Sequence, residues 1–135
     1  ALNMAIAQRL VRKVCPKCLQ EKVVSGIDFK KIKDGLSNLP KTADSPQFNA
    51  TTKIPYPNPK GCNYCNFTGY KGRVGIFEAI LADDEMENFI LKNPSIASLK
   101  KEAIRKGMTT MLQDGFIKVL RGITTIEEVE RMAGE

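Results

Sequence analysis

The sequence predicts an α+β fold, mostly α. A small cysteine-stapled subdomain with a short β element comes first, and a four-helix C-terminal subdomain follows. Three observations carry this reading. The only four cysteines among 135 residues form two Cys-x-x-Cys units, Cys15/Cys18 and Cys62/Cys65, and there is no histidine. A glycine-punctuated run over residues 66–80 leads into an apolar strand pattern. After Asp83, capping residues and apolar positions recur at helical spacing.

Two Cys-x-x-Cys units are the usual way to bring four thiolates to one tetrahedral zinc. Each pair makes a tight turn, and the second turn completes the shell with no position left for water. Cys15, Cys18, Cys62 and Cys65 are therefore read as a closed structural zinc site. The readings weighed against it are two disulfides, a redox pair and four unrelated core cysteines. Disulfides lack an oxidising context, because the basic residues of 1–14 follow the apolar ones, the reverse of a secretory signal. A redox site needs one pair rather than two. One feature departs from a compact zinc ribbon: 43 residues separate Cys18 from Cys62, against about 15–20.

With 42% hydrophobic and 27% charged residues, the composition is that of an ordinary globular chain. No apolar run approaches the ~18 residues of a membrane span. Charge is uneven. Residues 1–80 hold 13 basic and 5 acidic side chains, and residues 81–135 hold 8 and 10. A basic half invites a nucleic-acid reading. The preferred reading is that Lys13, Lys17, Lys22, Lys60, Lys71 and Arg73 offset an anionic metal site, because aromatics are not clustered with them in a base-stacking pattern.

Residues 1–14 read as a helix, with Leu2, Ile6, Leu10 and Val14 recurring every four residues. No capping residue precedes Leu2 and no methionine opens the chain, so the sequence is expected to be a piece of something longer. The other reading is a tag remnant before Met4. A short helix is expected over Ile27–Leu36, with Ile27, Ile32 and Leu36 inward. Residues 37–60 hold five prolines and read as a long loop with one edge strand at Thr52–Tyr56. Arg73–Ile80 reads as a strand burying Val74, Ile76 and Ala79 or Ile80. Asp83 opens a helix to about Lys92 with Met86, Phe89 and Ile90 inward. Ser95 caps the next, with Ile96, Leu99, Ala103 and Ile104, and Gly107 ends it. Thr109–Arg121 is the third. Thr124 and Glu127 suggest a capping box for the fourth, with Ile126, Val129 and Met132 inward. Met108, Met111 and Met132 read as core fillers.

Three stretches taken together carry a family resemblance: residues 7–18, residues 61–78, and a third made of Gly107-Met108 through Asp114-Gly115, Lys118-Val119-Leu120 and Gly122 through Val129. They resemble the C-terminal end of the type II secretion and type IV pilus assembly ATPases. Residues 25–60 depart most from that pattern. The resemblance implies a hexameric motor with a RecA-like core, whose phosphate loop, acidic boxes and histidine box lie upstream of Gln8-Arg9-Leu10. No Gly-x-x-x-x-Gly-Lys-Ser/Thr and no histidine occurs here, so ATP and Mg2+ are expected only in the parent protein and no catalytic or nucleotide-binding residue is assigned to this chain. The division it implies is 1–14 as the trailing helix of the ATPase core, 15–80 as the tetracysteine zinc subdomain with loop 37–60, and 81–135 as the helical subdomain. Its partners would be the rest of the motor, neighbouring subunits and the inner-membrane platform protein, at the cytoplasmic face of the inner membrane, with nucleic acid not expected. A nucleic-acid-binding zinc module and a zinc-linked thiol chaperone are the readings from other classes.

Overall fold

A computed structural model of the protein describes residues 4–41 and 43–134. Among these the fold is α+β. The order is β1 (Met4–Val14), β2 (Gln20–Val23), α1 (Gly26–Gly35), β3 (Lys53–Tyr56), a single 3-10 turn (Asn63–Cys65), β4 (Tyr70–Leu81), α2 (Asp84–Leu91), α3 (Ile96–Arg105), α4 (Met111–Leu120) and α5 (Ile126–Ala133). Two antiparallel two-stranded sheets form, β1 with β4 and β2 with β3.

The expected helix over 1–14 is a strand. Ile6, Leu10 and Val14 are four apart, a spacing that keeps one face of a strand as well as of a helix. Pairing decides between them: β1 runs alongside β4 from Met4↔Leu81 to Val14↔Tyr70, with a bulge between Arg12 and Val14. Leu2, the first residue of that stripe, lies outside the described residues. Val11 and Ile76 are fully buried towards the Cys-proximal end of the ribbon, and Ile80 packs against a separate apolar cluster at its far end. Met4, Ile6, Leu10, Phe77 and Leu81 share the opposite face and are 44–63% exposed.

Two apolar clusters hold the rest. The larger joins Val24, Ile32, Leu36 and Ile54 to Phe116, Ile117, Val119, Ile126 and Val129, so α4 and α5 pack with α1 and β3. Gly115 permits this closeness: a Cβ there would lie 2.5 Å from Val129. The smaller joins Met86, Ala103 and Met108, with Ile80, Phe89, Leu99 and Ile104 against it. The four helices after residue 81 are thus divided between two clusters. Ile27 and Ile90, expected inward, are 74% and 43% exposed, and Ile96, expected on the apolar spacing of its helix, is 88% exposed. Ile27 and Ile96 open their helices and project past the packed face.

Helix starts follow the caps closely. Ser25, Asp83, Ser95 and Thr110 each accept a backbone N–H of the first turn, and Thr110 with Gln113 completes a capping box. The last cap differs from the expected Thr124/Glu127 pair. Thr125 caps α5 by accepting from the Glu128 N–H, while the Thr124 hydroxyl is buried and donates to the Arg12 carbonyl at 2.7 Å. Adjacent threonines look alike in sequence, and the tie to β1 chooses between them.

Candidate metal centre

The two knuckles are built by backbone bonds before any side chain takes part. Leu19 donates to the Cys15 carbonyl, closing the first turn. Cys65 and Phe67 both donate to the Cys62 carbonyl, closing the second. Asn66 and Phe67 are left-handed, with φ of 54° and 62°. Gly61 is left-handed too, and a Cβ there would meet the Phe67 backbone at 2.3 Å, so only glycine fits. The Cys15 N–H donates to the Gly69 carbonyl at 2.9 Å, which sets one turn against the other.

All four expected ligands converge. Cys15 and Cys62 sulfurs are 3.7 Å apart, Cys18 and Cys65 3.8 Å, and Cys62 and Cys65 3.8 Å. All four lie within 4.8 Å of one another. These separations exclude bonded disulfides, and the four cysteines are free. A Zn–S distance of about 2.3 Å gives a tetrahedron with edges of about 3.8 Å, so the donor set fits zinc in number, chemistry and spacing. Cys15 and Cys65 are buried, whereas Cys18 and Cys62 are half-buried.

The Cys65 sulfur also receives N–H groups from Cys62 at 3.3 Å and Gly69 at 3.2 Å. Burial would raise this thiol's pKa. Those two amides, with the Cys62 and Cys18 thiols, outweigh burial and bring it down to about 6. Burial and the other three thiols push Cys18 up to about 12. Without a cation the cluster gives up one proton readily and holds another tightly. A metal ion bound there needs all four sulfurs as thiolates, which makes its affinity pH-dependent.

One functional-looking constellation has no sequence signal. Glu128 on α5 is 1% exposed in its side chain. It accepts the Arg12 backbone N–H at 2.7 Å, the Arg12 guanidinium at 2.8 and 3.0 Å, and the Arg131 guanidinium at 2.9 and 3.1 Å. Burial opposes its ionisation, but the Arg131 and Arg12 donors hold its pKa down to about 2. The Arg12 guanidinium lies 4.1 Å over the Tyr70 ring, and the Tyr70 hydroxyl meets the Thr125 hydroxyl at 2.9 Å. Val14 adds a backbone bond to Ile123. The strands feeding the knuckles are therefore bolted to the start of α5. Glu128 reads in sequence as an ordinary polar helix position, and nothing local marks it.

Fold and cluster define a cysteine-rich α+β module with one candidate tetrathiolate metal centre and, among the described residues, no helix long and apolar enough to cross a membrane. The chain belongs to the family described as Type II/IV secretion system protein, whose model matches residues 1–131. It is 38% identical over 129 residues to Type IV pilus assembly ATPase PilB of Thermus thermophilus, covering 96% of this chain and 13% of that protein. The PilB of Myxococcus xanthus is 36% identical over 129 residues, 96% of this chain and 21% of that protein. Type II secretion system protein E of Dickeya dadantii is 38% identical over 130 residues, 96% and 23%. The chain thus spans 13–23% of the length of these relatives.

Proposed function

We propose that this chain is the C-terminal zinc-binding and helical region of a hexameric motor ATPase that drives type IV pilus assembly or type II protein secretion. Its role is structural and partner-coupling, with catalysis left to the rest of the motor. Cys15, Cys18, Cys62 and Cys65 hold one structural Zn2+. Bound zinc would supply folding free energy of order 10 kcal/mol or more, which stiffens turns that have few apolar residues of their own. Residues 1–14 belong with the ATPase core, 15–80 form the zinc subdomain, and 81–135 form the helical subdomain that packs in the ring. The exposed apolar face that β1 shares with β4, with Met4, Ile6, Leu10, Phe77 and Leu81, supports a covering surface in the rest of the motor, because an apolar patch of that kind is normally covered. The zinc subdomain projects at the cytoplasmic face of the inner membrane and passes motion to a platform protein there.

The observation that carries this reading is the sulfur geometry, four sulfurs within 4.8 Å with three edges of 3.7–3.8 Å, in a chain of the secretion family. The burial of Cys15 and Cys65 argues against a thiol-exchange role, which needs accessible sulfur. Cys62→Ser in the whole motor should lower zinc from one per chain to none and abolish pilus or secretion output. Normal output from metal-free protein would overturn the proposal.

A further inference from the structure

We infer that Tyr64 and Phe67 on the second knuckle, with Lys17 and Lys71, form a docking face for an acidic protein segment carrying an apolar side chain. This rests on the reading of the knuckles as a stiff projection and names the face through which they engage a partner.

Phe67 is the first observation. Its φ is 62°, a conformation that a bulky residue adopts at a steric cost. Burial of the ring does not offset that cost, since the residue is 64% exposed. The fold asks for a left-handed residue here and would be better served by glycine or asparagine. A large ring on strained backbone, aimed at solvent, is a feature the fold does not require.

Charge is the second. The Lys17 and Lys71 ammonium groups lie 4.3 and 4.9 Å from the centroid of one ring, that of Tyr64, which is itself 42% exposed. The two cations thus meet over one ring, although Lys17 comes from the first knuckle and Lys71 from the start of β4. No carboxylate answers them. Residues 1–20 and 45–77, which contain both knuckles, include no aspartate or glutamate. Among the described residues no ion pair involves Lys13, Lys17, Lys60, Lys71 or Arg73. The complementary ligand supplies two carboxylates to the paired ammoniums and an apolar side chain to Phe67. A bilayer is a poorer match, because stable anchoring takes more than two exposed rings and a pair of lysines. Nucleic acid would call for a row of stacking rings along the basic track.

The test uses the zinc-loaded chain and a fluorescein-labelled twelve-residue peptide of repeated Asp-Asp-Leu, read by fluorescence anisotropy at 50 and 300 mM NaCl. Binding should weaken with salt. Lys17→Glu with Lys71→Glu, and separately Phe67→Asn, should each weaken it by about tenfold or more with one zinc per chain retained. Lys30→Glu with Lys33→Glu, on the exposed side of α1, should leave it unchanged. Unaltered peptide binding by the knuckle variants would overturn the proposal. So would loss of zinc on charge reversal, which would make the lysines counter-ions of the metal site. Tighter binding of phosphatidylglycerol vesicles or a single-stranded oligonucleotide than of peptide, sensitive to the same substitutions, would assign the face to that ligand and overturn it too. If Cys62→Ser abolishes motor output while the charge reversal leaves it intact, this inference fails and the motor-coupling reading stands.

Discussion

In one region of the molecule Cys15 and Cys65 are buried against two further sulfurs; in another, Phe116, Val119 and Val129 are buried against Ile32 and Ile54. The second region excludes water from hydrocarbon, and its stability is spread over many side chains. The first has almost no hydrocarbon to exclude. Four thiols within 4.8 Å attract each other weakly until a cation replaces their protons, and then one bound ion supplies most of the stabilisation. Loss of a single component should therefore be graded in the apolar region and total in the sulfur region. Between them stands Glu128, a buried carboxylate on α5 that reaches Arg12 on the strand leading to Cys15.

The largest expected effect is metal removal. A strong chelator should abolish amide protection of Cys65, Phe67 and Gly69 in hydrogen exchange, a loss of order 10 kcal/mol. Amides of α4 and α5 should stay protected. Collapse of both regions together would show that they are one cooperative unit. Next comes Phe116→Ala, which should cost about 3–5 kcal/mol by urea unfolding with zinc stoichiometry unchanged. Loss of zinc in that variant would erase the distinction from the other side.

The smallest effect tests the bridge. Glu128→Gln removes charge-assisted bonds and should cost about 2–3 kcal/mol. Its pKa is lowered from 4.5 to about 2, so its contribution is complete above pH 4.5 and is lost as pH falls towards 2. The wild-type chain should lose stability across that window more steeply than the variant. Identical slopes for the two proteins would remove Glu128 from its bridging role.

Much of this was legible in the sequence where the signal is local. The cysteine spacing located all four converging sulfurs, because a two-residue gap constrains the turn whatever surrounds it. Asp83 and Ser95 located helix starts, since a cap acts within three residues. The edge strand expected at Thr52–Tyr56 is β3, Lys53–Tyr56, whose internal Pro55 is compatible only with an edge. What stayed hidden depends on distant partners. Gln20–Val23 has no strand pattern of its own and becomes β2 by pairing with β3. β1 carries a four-residue apolar spacing shared by helix and strand, and only β4 resolves it. Glu128 and Arg12 are 116 positions apart, and neither carries a local mark of the other.

That separation has a consequence for synthesis. At about 5–20 residues per second, the carboxylate that clasps Arg12 leaves the ribosome on the order of 10 s after Arg12 itself. Cys62 follows Cys15 by 47 positions, so the first pair of thiols waits in the nascent chain with neither its sulfur partners nor its α5 anchor. Newly made chains are most open to oxidation and mispairing in that interval. A stop codon only a few residues before Glu128 leaves the knuckle strand without its far attachment, however complete the cysteine set.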